Sequence, residues 1–66
     1  PIQEIARRAI YARVPIQAGE TLSRDNLVVR RPVGPLPADQ FERILGKTAR
    51  WDIAKGNPIH PQDFEG

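Results

Sequence analysis

Apolar and polar positions follow the same order in two segments of the chain, residues 12–27 and residues 49–64. Both segments fit the pattern A-R-x-x-I-x-x-G-x-x-[L/I]-x-x-x-[N/D]-[L/F], and the second follows the first at an offset of 37 residues. The aligned pairs are Ala12 and Ala49, Arg13 and Arg50, Ile16 and Ile53, Gly19 and Gly56, Leu22 and Ile59, Asn26 and Asp63, and Leu27 and Phe64. Seven aligned positions argue against chance and predict two similar units, related by a pseudo-twofold axis around one core.

Each unit predicts short strands, a tight turn and a single helical turn. The isoleucine of the pattern anchors the turn in the core, and the glycine is expected to adopt a positive φ that other residues avoid. The helical turn is capped by Ser23 in the first unit and led by Pro61 in the second. Short strands are expected near residues 9–13, 21–22, 27–31, 47–51 and 58–59.

The segment between the two units predicts a short helix over residues 38–45. Pro37 suits the first turn of a helix, and Asp39 favours its positive N-terminus. Three apolar residues have the i, i+3, i+4 spacing of one helical face. They are Phe41, Ile44 and Leu45. Gly46 then signals the end of the helix, so the whole pattern predicts a mainly β fold with short helical turns.

Composition narrows the class of protein further. A chain of 66 residues forms one small domain, which buries only about 60% of the surface of its unfolded chain. There is no cysteine to form a disulfide, and a single histidine argues against a structural zinc site. The net charge is +2 and no basic run exceeds two residues, which argues against nucleic-acid binding. No apolar run approaches the ~20 residues of a membrane span, and the absence of an initiating Met predicts a fragment or a processed piece.

The stretch VVRRPVGP, residues 28–35, places two arginines at the end of a predicted strand. Successive side chains of an extended segment point to opposite faces, so Arg30 and Arg31 cannot both face the same way. Pro32 restricts Arg31 to extended geometry. One arginine is expected to be solvated surface, and the residues alone leave open whether the other has a function or is also surface charge.

The remaining cationic and aromatic candidates have structural interpretations. Arg13 and Arg50 occupy equivalent positions of the repeat, so a structural role, such as pairing with Asp or Glu, is expected rather than a site role. His60 is expected to be exposed turn material. Trp51 is expected in the core or in an interface rather than as a binding platform, and Tyr11 is expected to keep its hydroxyl at the surface.

Three aspartates, Asp25, Asp39 and Asp63, fall at predicted helix starts, where capping explains them. They do not have the spacing of a catalytic carboxylate pair. The sequence also contains no constellation of a nucleophile and a base. The domain by itself is therefore expected to have no catalytic activity, and no catalytic residue is assigned to it.

Two motifs identify a family that this chain resembles. They are IxAGExLxxDNLxxxRP, which begins at Ile16, and GKxAxxDIxKGxPI, which begins at Gly46. Through them, residues 8–64 resemble the SAF or antifreeze-like domain, the C-terminal module of sialic acid (N-acetylneuraminate) synthases and other nonulosonic acid synthases. The resemblance implies a β-clip, the compact pseudo-twofold fold of type III antifreeze proteins. It also implies that residues 1–7 are a linker from an upstream barrel domain and that residues 8–66 form the SAF domain.

The resemblance implies a function that depends on a second domain. In the synthases, a barrel joins phosphoenolpyruvate to N-acetylmannosamine or a similar N-acylmannosamine-type sugar, using a divalent metal (Mn or Mg). The homodimer is domain-swapped, so each antifreeze-like domain caps the partner's barrel, and one arginine contacts the sugar's N-acyl group. That arginine lies in a (K/R)RPG stretch, which maps it to Arg31 as the substrate-binding residue. Val33 stands where the synthases usually have glycine.

The same resemblance places the metal and phosphoenolpyruvate ligands outside these 66 residues, with no cofactor in this domain, and implies a cytoplasmic protein. SAF domains also serve as carbohydrate-binding or assembly modules of other proteins, but those lack a close match to the stretch from Arg30 to Lys47. Ice binding would need a flat, small and mostly apolar or threonine-bearing face. The stretch QAGETLSRDN instead carries Glu20, Arg24 and Asp25. The synthase module is thus the first hypothesis, and which nonulosonic acid it serves is left open.

Overall fold

The computed structural model describes residues 8–66, which form two small antiparallel sheets connected by turns. The predicted linker, residues 1–7, lies outside the described residues. In chain order the elements are β1 (Ala9–Ala12), β2 (Leu27–Arg30), a first 3-10 turn (Ala38–Gln40), α1 (Phe41–Ile44), β3 (Thr48–Ala49), a second 3-10 turn (Pro61–Asp63) and β4 (Phe64–Glu65). These elements confirm the predicted mainly β class with short helical turns.

The two sheets are both antiparallel ribbons. β1 pairs with β2 over four residue pairs, and β3 pairs with β4 over two. The strands predicted near residues 9–13, 27–31 and 47–51 are thereby confirmed. The two shorter predicted strands are reduced to the single bridging residues Thr21 and Pro58. β4 was not predicted, because the repeat pattern assigned its apolar residue only to closing the second unit.

The predicted pseudo-twofold axis passes between Ile16 and Ile53. Each of these residues donates its backbone N–H to the carbonyl of the other, at 2.8 and 2.7 Å. Further from the axis, backbone hydrogen bonds of the first unit have equivalents in the second, in which the donor lies 37 residues later in the chain. The pairs are Gly19 N to Ala49 O (2.8 Å) with Gly56 N to Ala12 O (2.8 Å), Leu22 N to Lys47 O (2.8 Å) with Ile59 N to Ile10 O (2.9 Å), and Arg13 N to Asn26 O (2.9 Å) with Arg50 N to Asp63 O (2.8 Å). The bonds from Gly19 and Gly56 join one unit to the other, whereas those from Arg13 and Arg50 lie within a unit.

The two repeat glycines confirm the predicted positive φ, since Gly19 and Gly56 both have φ of +87°. A Cβ at either position would meet no atom within 4 Å. A substitution there would therefore destabilise the fold only through the strain of a positive φ, not through a steric clash. We expect Gly56→Ala to lower the free energy of unfolding by about 1–2 kcal/mol. Gly56→Asn should lower it less, because asparagine tolerates the left-handed region. Urea denaturation checks both variants, and equal losses for alanine and asparagine would contradict the explanation.

Equivalent side chains close the corresponding turns of the two units. The second is the 3-10 turn Pro61–Asp63, whereas residues 24–26 form a hydrogen-bonded turn and not the predicted helical turn. The side-chain oxygens Asn26 Oδ1 and Asp63 Oδ2 accept the backbone N–H of Ser23 and of His60, respectively, both at 2.8 Å. Ser23 Oγ also accepts the N–H of Asp25 at 3.2 Å, as predicted for a cap. Capping therefore explains Asp63. In the first turn, however, the capping oxygens belong to Ser23 and Asn26, and Asp25 contributes its N–H instead of its carboxylate.

The predicted helix is present, but its first turn is 3-10 and only its second is α-helical. It ends where Leu45 becomes extended, and Gly46 follows with φ of +91°, which confirms the predicted C-terminal signal. Ile44 is buried, and Phe41 and Leu45 pack against the core, as the apolar spacing predicts. Asp39 lies in the first turn, yet no side chain caps that turn. The capping role predicted for Asp39 is therefore wrong, and its carboxylate is positioned only to favour the helix dipole.

The core lies between the two units and is built largely from the repeat's apolar positions. It consists of Ile10, Ala12, Ile16, Leu22, Leu27, Leu36, Ile44, Ala49, Ile53 and Ile59. Four of these are almost completely inaccessible to solvent: Ile10, Ile16, Leu22 and Ile59. Burial of each such side chain contributes about 1.5–3 kcal/mol, so this cluster replaces the disulfides and metal sites on which many domains of this size depend.

Glu20 makes the free energy of unfolding depend on pH in the acidic range. Its pKa is lowered below the ordinary 4.5, first because the carboxylate accepts the N–H of Gln17 and second because it accepts the side-chain amide of Asn26. A depressed pKa in the folded state means that this stabilisation is present above pH 4.5 and is lost as the pH falls through the folded pKa. We expect Glu20→Gln, which keeps an acceptor oxygen but no charge, to flatten the pH dependence of unfolding below that value. Urea denaturation of both proteins at a series of acidic pH values checks this, and identical slopes would contradict it.

Candidate functional site

Residues 30–36, here called the arginine loop, wrap around the start of β1. Ala9 pairs with Arg30 on one edge of β1 and with Pro37 on the other. The far end of the loop is tied to the same strand, because Ile10 donates its N–H to the carbonyl of Leu36 at 3.1 Å. The side chain of Leu36 is buried in the core. Both ends of the loop are therefore fixed to one rigid strand.

The middle of the arginine loop is held by Tyr11. Its hydroxyl donates a 2.7 Å hydrogen bond to the carbonyl of Pro32, and the peptide bond that precedes Pro32 is cis. Gly34 packs so closely that a Cβ there would lie 3.2 Å from the Cβ of Ala9 and 3.7 Å from that of Pro58. Ala9 and Tyr11 are on the same face of β1, since side chains alternate along a strand. The loop thus lies flat against this face.

The two arginines are placed at the start of this anchored loop, and both are exposed. Arg30 is the last residue of β2, while Arg31 is the first residue beyond it. Val29 packs against the core, which fixes the direction in which the strand leaves the sheet. Both arginines are therefore exposed residues on a backbone that strand pairing at Arg30 holds in place. The substrate role of Arg31 stays a prediction.

The other candidate cations make structural contacts, as expected from their equivalent repeat positions. Arg13 Nη1 donates to the backbone carbonyl of Asp25 at 3.2 Å. Arg50 Nε donates to the carbonyl of Phe64 at 3.3 Å, and its Nη1 lies 3.8 Å from a carboxylate oxygen of Glu65. Each arginine ties its own unit's strand to the segment that closes that unit.

Trp51 is the residue whose placement sequence reasoning left most open. Its side chain is 47% exposed, which excludes the core, and its indole Nε1 donates to Asp63 Oδ1 at 2.9 Å. The other carboxylate oxygen of Asp63 lies 3.4 Å from Nδ1 of His60. His60 precedes the second 3-10 turn and 44% of its side chain is exposed, in line with the exposed turn position that was expected.

A shallow cleft lies beside Trp51. Its lining residues are Trp51, Asp52, Ile53, Asn57, Pro58, His60 and Asp63. Pro58 also approaches Gly34 of the arginine loop, so the cleft and the loop adjoin each other. Sequence reasoning missed the cleft, although one signal for it was available. The repeat places Trp51 where the first unit has Val14.

Two further features of the described residues bear on function. Between residues 8 and 66, no group of three or more His, Asp or Glu side chains is arranged to hold a metal ion. Within the same range, the helical segments are too short and too polar to cross a membrane.

Comparisons with known proteins agree with this architecture. The SAF domain model matches residues 7–65. A pseudaminic acid synthase of Campylobacter jejuni serotype O:2 is 34% identical over 58 residues, which is 88% of this chain, and that of serotype O:23/36 is 35% identical over 57 residues, or 86% of it. The chain spans only 17% of the length of each of these curated relatives.

A solved structure shows the same fold. The crystal structure of a spore coat polysaccharide biosynthesis protein E from Chromobacterium violaceum superposes with a TM-score of 0.78 and 31% identity. The match covers 98% of this chain and 20% of that one. The family model accounts for nearly every residue described here, including both repeat units and the arginine loop. This chain belongs to the SAF domain family.

Proposed function

We propose that the chain is the accessory SAF module of a nonulosonic acid synthase. In this role it covers the barrel active site of the partner subunit in a domain-swapped homodimer, and Arg31 contacts the N-acyl group of an N-acylmannosamine-type sugar. Membership of the SAF family and identities of 34% and 35% to two pseudaminic acid synthases support the proposal. The matched region is 17% of each relative, which leaves room for a separate catalytic portion.

The observation that carries the proposal is the anchored arginine loop. Strand pairing at Arg30, the Tyr11 hydroxyl on Pro32 and the close packing of Gly34 hold the backbone on either side of Arg31. A side chain on a preordered loop loses less conformational entropy when it binds than one on a mobile loop. The loop therefore has the construction expected of a segment that inserts a side chain into another protein's site.

An arginine suits this contact for chemical reasons. The acyl group of an acylamino sugar offers a carbonyl oxygen, which is an acceptor only, and the guanidinium group is a planar donor that stays charged at any working pH. In the proposal Arg31 binds and orients the sugar, and it moves no proton. The domain supplies recognition and exclusion of water, while the bond-forming chemistry belongs to the barrel.

The divalent metal, Mn or Mg, is assigned to the barrel in this proposal. Between residues 8 and 66, no cluster of carboxylates and imidazoles is arranged to hold it. The proposal assigns every bond-forming step to the barrel. The phosphoenolpyruvate ligands are likewise assigned to the barrel. A cytoplasmic location follows within the proposal from the use of phosphoenolpyruvate.

The experiment that tests the proposal is steady-state kinetics of the parent protein with Arg31→Ala. The proposal expects a loss in kcat/KM for the acylamino sugar with an unchanged melting temperature. Arg30→Ala is the matched control, because the neighbouring arginine is also exposed and has the same charge. Unchanged sugar kinetics in the Arg31 variant would contradict the proposal.

A further inference from the structure

The pseudo-twofold repeat provides an internal comparison between two nearly identical scaffolds. Requirements of the fold itself, such as the glycines and the turn-closing oxygens, are met in the same way in both units. Exposed positions that differ between the units are therefore not dictated by the scaffold. The differing pairs around the cleft include Val14 and Trp51, Pro15 and Asp52, Glu20 and Asn57, Thr21 and Pro58, and Ser23 and His60. The largest change in size is from valine to tryptophan.

Trp51 is held as a rigid, exposed aromatic group. Its indole N–H is satisfied by Asp63, and only 7% of Asp63 is accessible to solvent. The residue is nevertheless 47% exposed, so part of its large apolar surface meets water. Tryptophan is enriched among the residues that dominate binding energy at protein interfaces. A ring that is already fixed by a hydrogen bond loses little further freedom on binding.

The surface around Trp51 is continuous with the arginine loop. We define the Trp51 surface as Trp51, Asp52, Asn57, Pro58 and His60, which all line the cleft. Pro58 joins this surface to the loop through its close approach to Gly34. The neighbouring loop residue Val33 is 56% exposed, which adds a second apolar contact next to the same junction. The Trp51 surface and the arginine loop therefore adjoin each other where Pro58 approaches Gly34.

We propose that the Trp51 surface docks on the catalytic portion of the parent synthase and that Trp51 is the anchor of this contact. The inference rests on the proposed function and adds to it the surface by which the module is held. Two observations indicate that the catalytic portion is what covers the Trp51 surface. Relatives named as synthases have several times the length of this domain, which spans 17% of them. The surface is also continuous with the loop that carries Arg31.

The chemistry of the Trp51 surface predicts the kind of surface on the catalytic portion that it binds. The exposed indole face fits an apolar recess, and the polar residues around it form a rim of the kind seen at protein interfaces. Asp52 is exposed and uses Oδ1 to accept the N–H of Ala18 at 2.8 Å. A hydrogen-bond donor or a cation on the counterpart can therefore reach the same carboxylate from the solvent side. The expected counterpart is an apolar recess with a donor at its edge.

Photo-crosslinking in the full parent protein tests the docking. The aromatic photo-crosslinker p-benzoylphenylalanine replaces Trp51 in one variant and Val14, its symmetry equivalent, in the other. Mass spectrometry then maps the crosslinked peptides. We expect crosslinks from position 51 to the catalytic portion, at least about fivefold more abundant than those from position 14. Crosslinks to the SAF domain of a second copy, or none at all, would overturn the docking proposal.

Kinetics separate this proposal from the role of Arg31. Trp51→Ala should raise the KM for the acylamino sugar on the order of 30-fold, the loss associated with an interface anchor. Trp51→Phe loses the same hydrogen bond to Asp63 but keeps most of the apolar area, so its effect should be much smaller. Val14→Ala should leave KM unchanged.

If Arg31→Ala abolishes sugar recognition while Trp51→Ala has no effect, the docking proposal fails and the synthase function stands. If position 51 crosslinks to the catalytic portion while Arg31→Ala has no effect, the docking proposal stands and the substrate role of Arg31 fails.

Discussion

Arg31→Ala in the full parent protein should lower kcat/KM for the acylamino sugar by about 30-fold to 1,000-fold. Loss of one desolvated, charge-assisted hydrogen bond costs on the order of 2–4 kcal/mol of transition-state binding. The loss should be concentrated on the sugar, because the guanidinium group contacts its acyl carbonyl. The value of kcat/KM for phosphoenolpyruvate, measured at saturating sugar, should change by less than about threefold. Steady-state kinetics with each substrate varied in turn measure both effects.

Two controls make this result interpretable. Arg30→Ala removes an equally exposed charge from the adjacent position and should leave both kinetic constants unchanged. The melting temperature of Arg31→Ala should match that of the parent, because Arg31 is exposed and lies outside the core. Equal losses in both arginine variants would indicate a general effect of charge and would count against a specific contact. A sugar analogue without the acyl carbonyl should lose the discrimination between the parent and Arg31→Ala.

Ile16→Ala should unfold most of the 66-residue chain at room temperature. Ile16 is 1% exposed and lies at the pseudo-twofold axis. Truncation of a buried isoleucine to alanine costs about 2–5 kcal/mol, whereas a core of this size supplies only about 3–5 kcal/mol of net stability. Far-ultraviolet circular dichroism measures the loss of structure. The emission of Trp51, the only tryptophan of the chain, reports on the tie to Asp63.

The pseudo-symmetry supplies a matched comparison for this experiment. Ile53→Ala removes the equivalent side chain, which is 5% exposed, and should destabilise the domain by a similar amount. Val33→Ala removes apolar atoms from a side chain that is 56% exposed and should have little effect on unfolding. A large difference between the two isoleucine variants would show that the two units do not share the core equally.

Much of this fold was predictable because its determinants are local or repeated. Gly19 and Gly56 adopt the expected positive φ, since that conformation is a property of the residue type and of the turn. The helix ends at Ile44, two residues before Gly46, close to the end expected from the spacing of three apolar residues and a terminal glycine. The alignment of Ile16 with Ile53 predicted the pseudo-twofold arrangement. Here the repeat supplies what a single sequence usually lacks, namely evidence of contacts between distant residues.

The remaining features depend on contacts between segments that no local pattern reports. The hydrogen bond from Tyr11 to Pro32 spans 21 residues, and that from Trp51 to Asp63 spans 12. These bonds fix the arginine loop and decide that the indole is exposed at a cleft. The capping role predicted for Asp39 failed for a local reason, because Asp39 lies inside the first 3-10 turn and the residue at its N-cap position is Pro37. Where side-chain partners are remote, residue type predicts the chemistry but not the geometry.

The exchanged hydrogen bonds of the two units also limit how such a fold can arise. Gly19 donates to Ala49 and Gly56 donates to Ala12, so neither unit can satisfy its own backbone without the other. A single unit of this kind would leave donors and acceptors unpaired and would close only against a second copy of itself. The simplest ancestor consistent with this pattern of hydrogen bonds is a peptide of one repeat that folded as a symmetric dimer. Joining two copies in one gene would then have freed each half to acquire its own surface.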